Sequence, residues 1–413
     1  MFKVVVLCFL SFSSVHCFVG SFLRKPNVQR TNSAVRCFGE HANAVGAACM
    51  FSKVCVTQEN IFYFGALATQ PDTLLTYGRI KDAAEVAYKG DLVQPIKVVE
   101  RMTTDEMTRG QWVKRTHVLL TRIAAGNAGH LLHEALLPAF QVAQAFNVNP
   151  LRTSVALRDA GDTRLESVAH FGYPVELGDM LTEQLHSLIF NSSITALSSK
   201  PVCFNKLIVG IAQYGTLFNS NQARGHGLIL FRNHVYKRLR IPRRSVLKQP
   251  YLILIHEKPL EGRHGHAIAN VDQLVNELTS MLDPEVATVR RFVMEDLSVP
   301  EQIHLLSRTA MYVPTPGSAS FMALFMPDHS TMVALPLVDG NRDAREVKYN
   351  YWLSTVHTHI SHVRCRKYET TEANYMDRPS SWIENSVDYV LHSSRLRDFA
   401  MEAFDVLNAF SQS

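Results

Sequence analysis

The chemically densest stretch of the chain is Gly126-Asn127-Ala128-Gly129-His130-Leu131-Leu132-His133-Glu134. It falls where an apolar strand pattern ends and a helical pattern begins, the edge at which open α/β sheets bind ligands. His130 and Glu134 are four residues apart and therefore share one helical face. A carboxylate beside an imidazole raises its basicity and fixes its tautomer, so the pair is a candidate general base for a substrate hydroxyl. Zinc spacing fails: His133-Glu134 needs a second His at position 137, where Leu137 stands, and His-x-x-His-Glu is not the reversed motif either. A purely structural reading of the same residues makes Asn127 a helix N-cap and His130 a hydrogen-bonded side chain between two lobes.

Two further stretches have the makings of anion sites. Val313-Pro314-Thr315-Pro316-Gly317-Ser318-Ala319-Ser320 runs from a strand into a Gly/Ser turn that opens a helix. Backbone N–H groups and hydroxyls at such a turn suit a diphosphate, although a capped helix start explains the same residues. Glu261-Gly262-Arg263-His264-Gly265-His266 directly follows a strand, and Arg263 has the fork geometry for phosphate oxygens. The alternative there is a solvated loop. Gly225-His226-Gly227 is similar, and Phe231-Arg232 adds a cation near the same edge. No Asp-x-Asp is present, the carboxylate pair that holds a metal on a donor diphosphate. Leaving-group charge then falls to arginines and helix N-termini, with no metal and no cofactor.

The elements that must position these residues alternate in two blocks. In the first, Thr116–Leu120, Ser154–Leu157 and Lys206–Gly210 read as strands, and helix-spaced apolar residues run from Leu131 to Phe146 and from Met180 to Ile189. A basic segment, Lys237 to Lys248 with Pro242, marks a break. In the second, the apolar run Tyr251–Ile255 predicts a strand buried on both faces. Helix Val271–Leu282, strand Val286–Met294, helix Pro300–Ser307, strand Ala310–Val313, helix Gly317–Phe325 and strand Thr331–Leu335 follow. Such alternation implies parallel sheets covered by helices, with a ligand site between two lobes.

A net charge of +5 over 413 residues, with no basic stripe interleaved with aromatics, argues against nucleic acid as a partner. Met1-Phe2-Lys3, the apolar run Val4–Phe12 and Ser13–Cys17 compose a secretory signal or an N-terminal anchor, the one candidate for membrane attachment. Beyond it remain Cys37, Cys49, Cys55, Cys203 and Cys365. In an oxidising lumen Cys49 and Cys55 can close a short loop, with Cys37 competing for either, and an odd count leaves one thiol over. Asn191-Ser192-Ser193 is a glycosylation sequon, consistent with luminal residence.

Taken in order, residues 45 to 365 resemble glycosyltransferase family 61, which includes plant xylosyl- and arabinosyltransferases and animal N-acetylglucosaminyltransferases. Cys49-Met50-Phe51-Ser52-Lys53-Val54-Cys55 is similar to the family's Cys-x-Phe-x-Asn-x-Cys opening, and Asn127, His130 and Glu134 fall on its Asn-x-x-His-x-x-x-Asp/Glu motif. Phe231-Arg232, Arg263–Asn270, Glu295–Gln302 and Pro316-Gly317-Ser318 through Phe325-Met326-Pro327 resemble later family elements. The resemblance implies a GT-B-like α/β fold of two Rossmann-like lobes facing across a cleft, and inverting transfer from a UDP-sugar to a glycan or glycoprotein without metal. It assigns Glu134 as base with His130 helping, Asn127 to the acceptor side, and Arg263, His266, Pro316, Gly317, Ser318 and Ser320 to the donor. Pro316, Met322, Ala334, His266 and Ala267 depart from the family's usual residues, which keeps open a catalytically silent, glycan- or partner-binding protein.

The expected organisation is a signal or anchor over 1–17, a leader over 18–45 and an acceptor-side lobe over 46–236. A nucleotide-sugar lobe over 245–365 and a helical extension over 366–413 complete it. The expected site of action is the lumen of the endoplasmic reticulum or Golgi.

Overall fold

The computed structural model describes residues 7–11, 14–18, 33–39, 47–63, 72–74, 76, 96–100, 111–122, 125–159, 174–190, 194–211, 226–243, 247–258, 266–339, 348–350, 360, 362–370, 375–377 and 387–411. Near the N-terminus β1 (Leu7–Ser11) and β2 (Ser14–Phe18) form an antiparallel pair. Among the described residues no helix is long and apolar enough to cross a membrane.

The first block builds a nine-stranded sheet. Its strands are β3 (Ala34–Gly39), β4 (Ala47–Val56), β5 (Asn60–Tyr63), β6 (Thr73–Leu74), β7 (Ile96–Glu100), β8 (Gln111–Leu120), β9 (Thr153–Leu157), β10 (Ile194–Ala196) and β11 (Val202–Val209). The order is β10-β9-β8-β11-β4-β5-β7-β6, with β3 also paired to β4. β10, β9, β8 and β11 run parallel, while β11 meets β4 antiparallel.

The second sheet is parallel throughout. It holds β12 (Tyr251–His256), β13 (Ala287–Phe292), β14 (Thr309–Val313), β15 (Thr331–Ala334) and, after the short pair β16 (Leu337–Asp339) and β17 (Lys348–Asn350), β18 (Arg364–Lys367). The order is β13-β12-β14-β15-β18. β19 (Tyr375–Asp377) and β20 (Val387–Tyr389) form a separate antiparallel pair.

The helices follow the expected periodicity with two local differences. The first segment opens as α1 (Ala128–His130), widens into a π-helix over Leu131–Leu136 and continues as α2 (Leu137–Ala145). The expected helix Gly317–Phe325 is a single α-turn followed by a 3₁₀ turn over Met322–Phe325. α3 (Val175–Ile189) and α4 (His226–Leu239) complete the first block, so part of the basic segment is the last turn of α4 rather than a break. α5 (Val271–Met281) buries Val271, Leu274 and Leu278. α6 (Val299–Leu306) begins with a Ser298/Glu301 capping box and Pro300 in its first turn, both strong start signals. α7 (Ser318–Phe321) is the α-turn just described, and α8 (Ser393–Ser411) ends the chain.

Among the described residues three large apolar clusters hold these layers. The largest joins both sheets: Val118, Leu120, Val155 and Ile208 of the first are continuous with Leu254, Tyr312 and Met332 of the second through α2, α4 and the 318–326 segment. A second cluster covers the opposite face of the second sheet with α5 and α8, so the chain from Arg364 onward supplies both a strand and a covering helix. A third lies on the far face of the first sheet.

The cysteine pairing corrects the expected Cys49–Cys55 loop. Cys49 pairs with Cys37 and Cys55 with Cys203. Cys49 and Cys55 are six residues apart in β4, about 20 Å along an extended strand, too far to bridge. Each instead meets its cross-strand neighbour in register, Cys37 on β3 and Cys203 on β11. Cys365 is a free thiol, and burial pushes it up to about 11, which leaves it unreactive at neutral pH.

Candidate active site

Topology places one crevice on each sheet. From β8 the chain moves outward to β9 and β10, then returns to β11 on the other side of β8. From β12 it moves to β13, then to β14 on the other side. The carboxyl ends of β8/β11 and of β12/β14 are therefore the switch points at which such sheets take ligands. The exit of β8 leads to Asn127 and His130, and the exit of β14 leads to Thr315 and Gly317.

These two exits touch. Ser318 Oγ donates to Asn127 Oδ1, and His133 Nε2 lies 3.4 Å from the Phe321 carbonyl oxygen. The His133 and Phe321 rings pack at 4.9 Å. Gly129 makes the approach possible, because a Cβ there would lie 2.9 Å from both Phe321 Cε2 and Ser318 Cα, and closer still to Phe321 Cδ2. The two constellations read separately from the sequence thus form one cluster.

Asn127 caps α1, its Oδ1 accepting from the His130 backbone N–H at 3.2 Å. Four residues on, Glu134 Oε2 accepts from His130 Nδ1 at 2.9 Å. Glu134 is completely buried, whereas the His130 side chain is 28% exposed. Of the two groups expected to act as a base, the His130 ring is thus the one open to an incoming group, and the Glu134 carboxylate lies sealed behind it. With Nδ1–H held by Glu134, Nε2 is the basic nitrogen. The π-turn, a feature that recurs at functional sites, carries Glu134 and His133. Full burial, partly offset by the Phe321 carbonyl, lowers His133 to about 4, so it is a neutral packing residue.

The loop between β8 and this cluster is anchored by Arg122, which sequence reasoning missed. Its backbone N–H and Nε bond Asp159 at 2.9 and 2.8 Å, and Nη1 reaches Asp179 at 2.6 Å and Thr182 at 3.1 Å. Burial pulls its guanidinium down, and the two carboxylates more than offset that, so it stays charged. An Arg two residues past an apolar strand is the available signal; its two acidic partners are too distant in sequence to have been paired.

The residues expected to bind a donor divide in their placement. Gly317 sits at φ +111°, ψ −146°, a region essentially restricted to glycine, and a Cβ there would meet nothing within 4 Å. The turn therefore has open space against its backbone, as a closely approaching ligand requires. Pro316 precedes it. Ser320 turns inward, its Oγ donating to the Gly317 carbonyl at 2.6 Å, which makes it a support of the turn. His266, at φ +62°, is buried with its ring 6.4 Å from that of Tyr389. Arg263 and Asn191 lie outside the described residues. The structure adds His256, the last residue of β12, whose Nδ1 is 2.8 Å from Thr315 Oγ1. This contact ties the two strand ends at the switch point, and a polar residue closing an apolar strand was its sequence signal. Arg232 corrects an expectation: it is buried, bonded to the Met326 carbonyl and to Asp328, and braces the 326–328 turn instead of facing a ligand.

Among the described residues no group of three or more His, Cys, Asp or Glu is arranged to hold a metal ion. Residues 128–333, which include His130, Glu134 and the 317–321 turn, match the family model described as Glycosyltransferase 61. A comparison with curated proteins gives no significant match. Among solved structures, the heptosyltransferase WaaC of E. coli with ADP is similar at 9% identity and a TM-score of 0.30, covering 70% of this chain and 99% of that one.

Proposed function

The chain belongs to glycosyltransferase family 61, and from that premise we propose that it transfers a sugar with inversion from a UDP-sugar to a glycan or glycoprotein, without a metal. The observation that carries the proposal is the contact between the His130 turn and the Gly317-Ser318 turn, each at the switch point of its own sheet. Two crevices meeting there suit a two-substrate reaction of the GT-B kind, the acceptor beside the first sheet and the nucleotide beside the second. His130 Nε2 takes the proton of the acceptor hydroxyl as that oxygen attacks the anomeric carbon. Glu134 orients the ring and stabilises the imidazolium that forms. The nucleoside diphosphate leaves toward the open backbone of the Gly317-Ser318 turn, with Arg263 as its cation and Pro316 and His266 shaping the approach, while the Ser318 hydroxyl stays on Asn127.

Two disulfides within one sheet support assembly in an oxidising compartment, so the proposed site of action is the lumen of the endoplasmic reticulum or Golgi. The N-terminal leader serves as signal or anchor, and Asn191 as glycan acceptor. One observation favours a second reading. Met322 and Ala334, at positions where the family commonly has polar or acidic residues, are sealed in the core, so neither can offer a polar group to a donor. On that reading the chain binds a glycan or partner without turnover.

A thermal-shift screen against UDP, UDP-xylose, UDP-arabinose, UDP-N-acetylglucosamine and a GDP-sugar, with and without chelator, separates the two. A chelator-insensitive rise in Tm with one UDP-sugar, together with transfer to a glycan panel, is expected. No shift with any nucleotide would sink the transferase reading.

A further inference from the structure

Asn127 and Ser318 are 191 residues apart and leave different sheets, yet one carboxamide oxygen serves both. Asn127 Oδ1 accepts from the His130 N–H at 3.2 Å, which starts the helix carrying the base, and also from Ser318 Oγ. We propose that Asn127 and Ser318 form a positioning pair through which the donor-side turn sets the orientation of His130. The inference rests on the transferase reading and deepens it.

Three features make the coupling specific. Gly129 lets the Phe321 ring and the Ser318 backbone pack directly on α1, so no Cβ at 129 holds the two turns apart. His133 packs on Phe321 on the adjoining side and limits sliding between them. Gly317, in a conformation other residues resist, fixes the direction from which the Ser318 hydroxyl arrives. With spacing and sliding both restricted, a shift of the Ser318 hydroxyl displaces the cap of the turn that holds His130. Ser318 on this view is a positioning residue, acting through Asn127 and the His130 backbone.

The test uses the full chain and four variants: Ser318→Ala, Ser318→Thr, Asn127→Ala and the Ser318→Ala/Asn127→Ala double. Ser318→Ala is expected to lower kcat about 10-fold while donor KM moves less than about two-fold. Ser318→Thr, which keeps the hydroxyl, restores kcat. The double variant is no slower than Asn127→Ala, because both changes remove one link. A rise in donor KM with kcat intact would make Ser318 a donor ligand and overturn the pair, as would additive losses. If the unaltered chain transfers no sugar, the transferase reading fails separately, and urea unfolding of the same four variants decides the pair. There Ser318→Ala must be silent in the Asn127→Ala background, and additive destabilisation refutes the link.

Discussion

Replacing Gly129 by alanine puts a methyl carbon where the structure has none to spare. That carbon would sit 2.9 Å from Phe321 Cε2 and from the Ser318 Cα, with Phe321 fully buried and Ser318 presenting backbone, so neither neighbour can yield by rotating a free end. Overpacking of this kind costs about 1–3 kcal/mol. Against it, Ala is favoured over Gly within a helix by about 1 kcal/mol. The net loss of stability is therefore about 0–2 kcal/mol, a few degrees in Tm for a chain of this length. The effect on turnover is much larger, because relief of the clash moves the His130 turn away from the Gly317-Ser318 turn. A displacement of about 1 Å at a reacting centre costs roughly 100-fold. Thermal unfolding and transferase turnover of Gly129→Ala should thus diverge, with Tm nearly kept and kcat reduced about 100-fold. Gly227→Ala is the control, since its nearest neighbour is the flexible end of Gln141, 2.8 Å away. Turnover of Gly129→Ala within about two-fold of the unaltered chain would refute the idea that the two turns must be held this closely.

Three other outcomes are expected. His130→Ala should lower kcat by about 10²–10⁴ with the UDP-sugar thermal shift preserved, and Glu134→Gln should lose less because it keeps the imidazole; equal activity in all three proteins would discard the dyad. Burial holds His133, His186 and His362 at about 4 in the folded chain, against an ordinary 6.5. Their neutral forms favour the native state fully above pH 6.5. The unfolded chain gains protons first as pH falls from 6.5 toward 4, and stability declines through that window. The decline is on the order of 1 kcal/mol per histidine at pH 5.5, a few kcal/mol for the three together. Urea midpoints measured from pH 7.5 to 5 check this, and a flat profile would contradict it. Loop entropy gives about 5 kcal/mol for Cys55–Cys203, which spans 148 residues, and about 3 kcal/mol for Cys37–Cys49, which spans 12. Cys203→Ser should therefore lower the urea midpoint more than Cys37→Ser, with the difference abolished by reductant.

What was legible in the sequence was whatever local patterning dictates. The run Tyr251–Ile255 reads as a doubly buried strand because every residue is apolar, and it is one. Asn127 is recognisable as a cap because the helical spacing starts just after it. The unread features depend on partners distant along the chain. Cys203 is 148 residues from Cys55, and only the β4–β11 register shows that they face each other. The burial of Glu134 and the exposure of His130 could not be read from their spacing, which gives proximity alone. Arg232 looks like any other cation until Asp328 and the Met326 carbonyl surround it. The π-turn at Leu131–Leu136 has no clear local signal, since its residues are equally suited to an ordinary α-helix.

The apolar cluster that runs unbroken from the first sheet into the second has a consequence for motion. Leu131, Leu132, Met322 and Phe325 belong to that one cluster, so neither turn can separate from the other without exposing its share of it. Backbone amides over 131–136 and over 318–325 should then exchange with solvent in a single concerted opening, with the same free energy and the same response to denaturant. The contact at the site is in this sense a property of one cooperative unit, and a lesion that loosens either sheet will be felt equally at both turns.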